Sequence, residues 1–389
     1  MSFRESISNQ KQQRHESGLL RELQTVASGQ GVVLKRGGRE LINFSSNDYL
    51  GLASSDELKT VAREGIQQWG VGAGASHLVC GHQTPHELLQ HEIAEFVDAE
   101  KAIVFSTGYM ANLAVPNAFL SRHDLLLQDK LNHASLIDAG LLCRADTARY
   151  RHLDVDHARQ LANCASQPQV MVATDGVFSM NGNVADVKQL AELCDREDRL
   201  LLVDDAHGFG VLGDNGAGTL SQAGIRPAGQ NLMIGTLSKA AGSFGAFVAG
   251  DAILVDHLIQ EARPFIYTTA LPPAIVEASR EAVRMMQRQT WRREKLARNV
   301  ELFRDLSAER NIELLPSQTP IQSILFESPT DATDASRTLA DAGFLVIAIR
   351  PPTVPKGTSR LRITLSALHE PEMIERLTNL LARLGSDRS

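Results

Sequence analysis

Five short apolar runs, separated by stretches of helical length, constrain this chain more than any other feature. They are AIVFS (102–106), DLLLQD (124–129), VMVATD (170–175), LLLVDD (200–205) and LMIGT (232–236). Four or five apolar residues bounded by polar or glycine positions read as strands covered on both faces, as in a parallel sheet flanked by helices. The intervening segments 108–120, 133–142, 155–165 and 186–197 carry helical spacing. The alternation predicts a doubly wound α/β domain. Ligands bind such sheets beyond the carboxyl ends of the strands, so the residues just after each run are the first candidates for chemistry.

On either side of this region the texture differs. Residues 5–25 read as a surface helix, and 31–44 as a hairpin around Gly37-Gly38. After LPPA (271–274) come a long Arg-rich helical stretch to 310, a strand at 321–326 and a helix at 331–342. Strands at 344–349 and 360–365 and a last helix at 370–384 complete the chain. We expect an N-terminal helix and hairpin segment (1–44), a large α/β domain (45–273) and a small α+β domain (274–389). The boundary falls at Pro272-Pro273, because proline disfavours helix in the residue before it.

Composition narrows the function classes. Thirty arginines and only nine lysines stand against 46 acidic residues, a net charge of -7. A chain that grips nucleic acid or anionic lipid through a broad field is usually basic, so neither partner is expected. The polar N-terminus lacks the apolar core of a secretion signal, and no apolar run approaches the ~20 residues of a membrane span, so a cytoplasmic location is expected. Cys80, Cys143, Cys164 and Cys194 form no Cys-x-x-Cys pair. Free thiols and no metal site are expected.

The residues at the strand ends carry more specific signals. After LLLVDD, Asp204 ends the strand and His207 lies one short turn on; a carboxylate there can hold a protonated ring nitrogen, with His207 at the ring's edge. After LMIGT comes Lys239 among small residues. A desolvated lysine has a lowered pKa and can form an imine, which arginine cannot. After AIVFS, Gly108 and Tyr109 open a helix, where backbone N–H groups and the helix dipole favour a phosphate. After DLLLQD, His133 can stack on a flat ring; after VMVATD, Ser179 supplies a hydroxyl. The Gly-rich GVGAGAS (70–76) lacks the strand-then-helix setting of a dinucleotide site. Each feature has an ordinary structural reading, but together they match the needs of pyridoxal 5'-phosphate (PLP). The histidines of ASHLVCGHQ (75–83) either line a channel or simply pack.

The segments SNDYLGL (46–52), STGYMAN (106–112), NHAS (132–135), TDGVFSMNG (174–182), DDAHGFG (204–210) and TLSKAAGSFG (236–245) resemble the α-oxoamine synthases. These fold-type I PLP enzymes, built like aspartate aminotransferase, join an amino acid to an acyl-CoA with loss of carbon dioxide. The resemblance runs from about residue 20 to 385. NFSSNDYLGL (43–52) and AIRPPTVPKGTSRLRITL (348–365) resemble the biotin-pathway branch, which condenses L-alanine with a pimeloyl thioester of coenzyme A or a carrier protein. A glycine-using branch is the alternative.

The resemblance implies catalytic roles for Lys239, His133, Asp204 and His207. Lys239 carries the cofactor and moves the substrate's Cα proton, Asp204 pairs with the pyridine nitrogen, and His133 stacks on the ring and touches substrate. It implies cofactor contacts from Gly108, Tyr109, Ser179, His207 and Thr236. In a homodimer with shared active sites, Thr268 and Thr269 reach the neighbour's phosphate. It implies that Arg362, with Asn47 nearby, holds the amino-acid carboxylate, and that Arg21 and Thr353 line the acyl site. From spacing alone, Arg360 and Arg362 share one face of their strand, and the sequence does not choose between them. An aminotransferase, or a catalytically dead regulator, is the reading that would replace a synthase.

Overall fold

The computed structural model describes residues 1–386, with side chains through Leu384. Among the described residues the strands are, in chain order, β1 (Val33–Arg36), β2 (Arg39–Asn43), β3 (Lys101–Phe105), β4 (Leu125–Asp129), β5 (Asp146–Tyr150), β6 (Val170–Asp175), β7 (Arg199–Asp204), β8 (Asn231–Thr236), β9 (Ala246–Gly250), β10 (Ile321–Phe326), β11 (Phe344–Leu345), β12 (Ile347–Ile349) and β13 (Ser359–Thr364).

Two compact units share these elements. The larger comprises residues 52–179 and 184–293. Its seven-stranded sheet runs β3-β9-β8-β7-β6-β4-β5. β5, β4, β6, β7 and β8 pair in parallel, and β9 runs antiparallel to both β8 and β3. Ile103, Leu126, Met171, Leu202, Leu232 and Val248 are fully buried in one core cluster. Burying each such side chain contributes about 1.5–3 kcal/mol, so these strands hold the sheet far more firmly than surface ion pairs do. All five runs expected as strands are present within about a residue. β5 and β9 escaped the pattern for physical reasons. β5 is an edge strand whose residues are mostly exposed, so DTARY needs no apolar run. β9 is buried but built as AFVAG, whose alanines and glycine carry little strand signal.

The smaller unit gathers residues 1–51, 180–183 and 294 onward. It has two three-stranded sheets, β1-β2-β11 and β10-β13-β12. β13 is central to its sheet and buried along its whole length. The single strand expected at 344–349 is two: β11 pairs with β2 in parallel, and β12 pairs with β13 antiparallel.

Three further boundaries differ from expectation. The first helix is Phe3–Glu16, with a capping box between Ser2 and Glu5 and no buried residue. It stops short of 25 because Gly18 turns to φ 66° and the chain then runs irregularly. The stretch 274–310 is two helices, Pro273–Arg288 and Trp291–Glu309. The units divide at Gly51/Leu52 and Arg293/Glu294 rather than at 44/45 and 273/274. Pro273 opens a helix of the large unit instead of ending a domain, since proline is pre-set for a first helical turn. That helix packs closely on Asp56–Trp69: a Cβ at Gly65 would lie 2.9 Å from the Ala274 Cα. The last three residues of the expected small domain, 387–389, lie outside the described residues.

Of the two histidines in the 75–83 segment, His77 is buried and packs, while His82 is exposed. His77 stacks on Phe265 with ring centroids 4.8 Å apart and meets His82 Nδ1 to Nδ1 at 2.8 Å. His86 Nε2 lies 2.8 Å from the Leu271 carbonyl oxygen. Burial pushes the His77 imidazole down to about 3, so it stays neutral in this knot. The four cysteines are unbridged, Cys143 and Cys194 buried and Cys80 and Cys164 exposed. Among the described residues no helix is long and apolar enough to cross a membrane.

Candidate active site

A cavity of about 190 Å³ lies in the large unit at the carboxyl ends of β6, β7 and β8. Eight residues singled out in the sequence line it: Gly108, Tyr109, His133, Ser179, Asp204, His207, Thr236 and Lys239. The parallel register explains the convergence, because β6, β7 and β8 all end at the same edge of the sheet. A larger cavity of about 700 Å³ in the small unit has Ile312, Leu315, Leu325, Leu361, Arg310 and Glu313 among its lining residues. None of the expected catalytic groups lines it, so size alone does not mark the site.

The cavity has a charged floor. Asp204 is buried; its Oδ1 accepts from the Ala206 N–H at 3.0 Å, and its Oδ2 accepts from the Asn112 amide. Lys239 Nζ lies 3.0 Å from His207 Nε2. Which of the two atoms donates depends on the histidine's tautomer. Lys239 itself is half-buried. Thr236 Oγ1 meets Ser238 Oγ at 2.8 Å and donates to the Gly245 carbonyl at 3.1 Å, which orders the turn that carries the lysine.

His133 is fixed by a second set of contacts. Its backbone N–H donates to both carboxylate oxygens of Asp175 at 3.1 Å, and its Nδ1 accepts from the Ser135 N–H at 3.3 Å. Ser135 Oγ accepts from the Asn112 amide at 2.8 Å and lies 2.7 Å from His133 Nδ1. With Nδ1 accepting, the ring proton sits on Nε2, and burial pushes the imidazole pKa down. Asp175 is pushed well above the usual carboxylate range, first by burial and then by the charge of Asp204, its neighbour in register on β7. Asn112, Ser135 and Asp175 went unread in the sequence. Asp175 carried a usable signal: like Asp204, it is an acid that closes a buried parallel strand.

These residues fit PLP. A buried carboxylate, a lysine amine and two histidines suit a flat cationic ring. A phosphate has an open seat: Gly108 is the first residue of the helix Gly108–Phe119, and a Cβ built there would meet nothing within 4 Å. That helix start also presents unpaired backbone donors and the positive end of the dipole. The buried Asn112 Oδ1 has no protein hydrogen-bond partner, which leaves an acceptor for a bound group.

The remaining expected residues are not among those that line this cavity. Thr268 and Thr269 come after the short helix Arg263–Ile266, and Thr269 bridges to Ser76. The other four form two pairs in the small unit. Arg362 donates to Asn47 Oδ1 at 3.1 Å, and Arg21 donates to Thr353 Oγ1 at 3.3 Å. The structure also separates Arg360 from Arg362. Arg360 spends its guanidinium on the Thr358 and Met180 carbonyls and on Asn181, a local structural role.

Asp205, directly after the site carboxylate, sets a measurable pH effect. It is fully buried, and its Oδ2 accepts from the Thr219 N–H at 2.5 Å. A Cβ at Gly208 or Gly218 would come within 2.0 Å of its carboxylate, so both must be glycine. Burial pushes its pKa up to about 7. Between the unfolded value near 4 and about 7, the folded state binds the extra proton, so Asp205 makes stability fall as pH rises through this window. Asp205→Asn removes that slope. Its stability relative to wild type should rise between pH 4 and 7 by up to roughly 4 kcal/mol and stay level above. Urea midpoints of the two proteins across this range check the sign.

A family model described as aminotransferase class I and II matches residues 39–381, which places the chain among the fold-type I PLP-dependent transferases. The chain is 47% identical to an 8-amino-7-oxononanoate synthase of Thioalkalivibrio sulfidiphilus, over 97% of this chain and 96% of that one. Its fold superposes on 8-amino-7-oxononanoate synthase from Francisella tularensis with a TM-score of 0.78 at 31% identity, covering 90% and 98% of the two chains. A serine palmitoyltransferase from S. paucimobilis, solved with a bound PLP–myriocin aldimine, gives 0.92 at 26% identity, covering 98% and 97%. The chain belongs to the 8-amino-7-oxononanoate synthase family and is a PLP-dependent acyltransferase.

Proposed function

We propose that the enzyme condenses L-alanine with a pimeloyl thioester, releasing carbon dioxide and the thiol and forming 8-amino-7-oxononanoate for biotin synthesis. The observation that carries this reading is the 47% identity over 97% of the chain to a synthase of that name. The higher TM-score to serine palmitoyltransferase reflects a shared backbone, and a backbone does not choose a substrate.

In this reading Lys239 Nζ holds the cofactor covalently when no substrate is present, and takes and returns the proton at the amino acid's Cα. Bound in the cavity, PLP supplies the electron sink for the carbanion at that carbon. Asp204 holds a proton on the pyridine nitrogen through a charge-assisted contact, and so keeps the sink strong. His207 orients the lysine through the 3.0 Å contact of its Nε2 with Nζ. His133 covers the ring face and meets substrate, Ser179 contacts the ring-hydroxyl side, and Gly108, Tyr109 and Thr236 seat the phosphate end.

Arg362 grips the substrate carboxylate, which a guanidinium matches with two parallel hydrogen bonds. Arg21 and Thr353 line the acyl side. The working form is a cytoplasmic homodimer, with Thr268 and Thr269 reaching the second copy's phosphate. Thr269 is exposed, and Leu78, Val79 and Tyr267 are exposed apolar side chains of the same unit, which supports such a contact.

The test is a substrate panel. The PLP-loaded enzyme is mixed with L-alanine, glycine or L-serine, and the cofactor absorbance is followed before and after pimeloyl-CoA is added. L-Alanine is expected to give the largest spectral change and the only rapid release of thiol. A preference for glycine or serine overturns the substrate assignment. Conversion of the cofactor to its amine form by the amino acid alone would mark an aminotransferase.

A further inference from the structure

Arg362 does not stand alone in its strand. β13 is flanked by β10 and β12, and Arg362 faces Ser323 on one side and Ile347 on the other. The chain leaving β13 is tied to the segment that carries Asn47. Thr364 N–H donates to the Phe44 carbonyl, Ala367 N–H to the Tyr49 carbonyl, and Ser366 Oγ to the Asp48 carbonyl. Residues more than 300 positions apart are thereby held in one register. Gly51 closes the segment at φ 67°, and a Cβ there would lie 2.3 Å from Leu368 Cγ, so the chain turns away immediately after Tyr49.

This register brings Tyr49 into contact with the guanidinium. Tyr49 is fully buried, and its phenol donates to Asn47 Oδ1 at 3.3 Å. The same Oδ1 accepts from Arg362 Nη2 at 3.1 Å, and Arg362 is a hydrogen-bonding neighbour of the phenol as well. Burial pushes the Tyr49 hydroxyl up to about 12 against the opposing pull of Arg362, so it keeps its proton at working pH. Both Asn47 and Tyr49 are neutral. They orient the guanidinium without cancelling the charge a carboxylate ligand needs.

We propose that Tyr49 is a positioning residue for the amino-acid substrate, locking Asn47 and Arg362 into one carboxylate-reading unit. This rests on the reading of Arg362 as the carboxylate clamp. Removing the phenol oxygen leaves the arginine charged but no longer held, so binding of the amino acid weakens while later steps do not.

The experiment compares full-length, PLP-loaded wild type with Tyr49→Phe, Arg362→Lys and the double variant. Tyr49→Phe is expected to raise KM for L-alanine about tenfold, the effect of losing one hydrogen bond around a charged group. Its kcat and its KM for pimeloyl-CoA should stay within about twofold. Titration of the cofactor absorbance with L-alanine should show the same weakening. The double variant should bind L-alanine no worse than Arg362→Lys alone, because the two side chains act as one unit. An unchanged KM for L-alanine in Tyr49→Phe overturns the proposal. So does a parallel loss in both KM values and kcat with a lowered Tm, which marks general structural damage. If Arg362→Lys leaves L-alanine binding intact, the clamp reading itself falls, and the single variants show that it is this reading that failed. Should Tyr49→Phe fold poorly, Asn47→Asp carries the test. Its carboxylate competes for the guanidinium, and an L-alanine KM that does not rise overturns the proposal.

Discussion

Lys239→Ala is expected to lower turnover at least ~10³-fold, because in the proposed mechanism it removes both the covalent anchor and the group that moves the Cα proton. His207 Nε2 sits 3.0 Å from Nζ. Asp204 is engaged by the Ala206 N–H and the Asn112 amide. The fold should not suffer, since Lys239 is half-buried in a turn whose order comes from Thr236, Ser238 and Gly245. Thiol release from pimeloyl-CoA with saturating L-alanine measures the loss, and thermal unfolding checks the fold. A variant within tenfold of wild-type turnover would refute the role given to the lysine.

Asp204→Asn is the second large effect, expected to cost ~10²–10³ in kcat, the range for losing one preorganised electrostatic partner of a transition state. The substitution keeps the shape of the side chain and its acceptor for the Ala206 N–H, but it removes the negative charge. If Asp204 pairs with the pyridine nitrogen as proposed, a neutral amide in its place would let that nitrogen lose its proton and would weaken the electron sink PLP supplies. Asp175 does not take over the charge. Burial, the larger cause of its raised pKa, persists when the Asp204 charge is gone, and its oxygens already accept the His133 N–H. PLP affinity by dialysis and kcat from thiol release should fall together. Near-normal kcat in Asp204→Asn would remove Asp204 from the catalytic set.

Much of this site was legible in the sequence because of one geometric fact. In a parallel sheet every strand ends at the same edge, so Asp204 after β7, Lys239 after β8 and Ser179 after β6 had to converge. The same reasoning was blind to Asn112 and Ser135, whose types are common on helix surfaces and whose contacts are made through the interior of the fold. It was also blind to β5 and β9, which an exposed edge and a run of small residues concealed.

Arg360 and Arg362 show where the sequence stops. Two arginines at alternate positions of one strand share a face and a charge, and nothing in their spacing separates them. Only the fold does so, by bringing carbonyls and Asn181 to Arg360, and Asn47 and Tyr49 to Arg362. The sequence by itself determined the alternation of strand and helix, the edge at which the chemistry gathers and the residue types able to serve PLP, because these depend on local periodicity and side-chain chemistry. The tertiary structure alone decided which partners each of these charges has. That depends on hydrogen-bond partners hundreds of positions away, such as Asn47 for Arg362, and no local pattern encodes them.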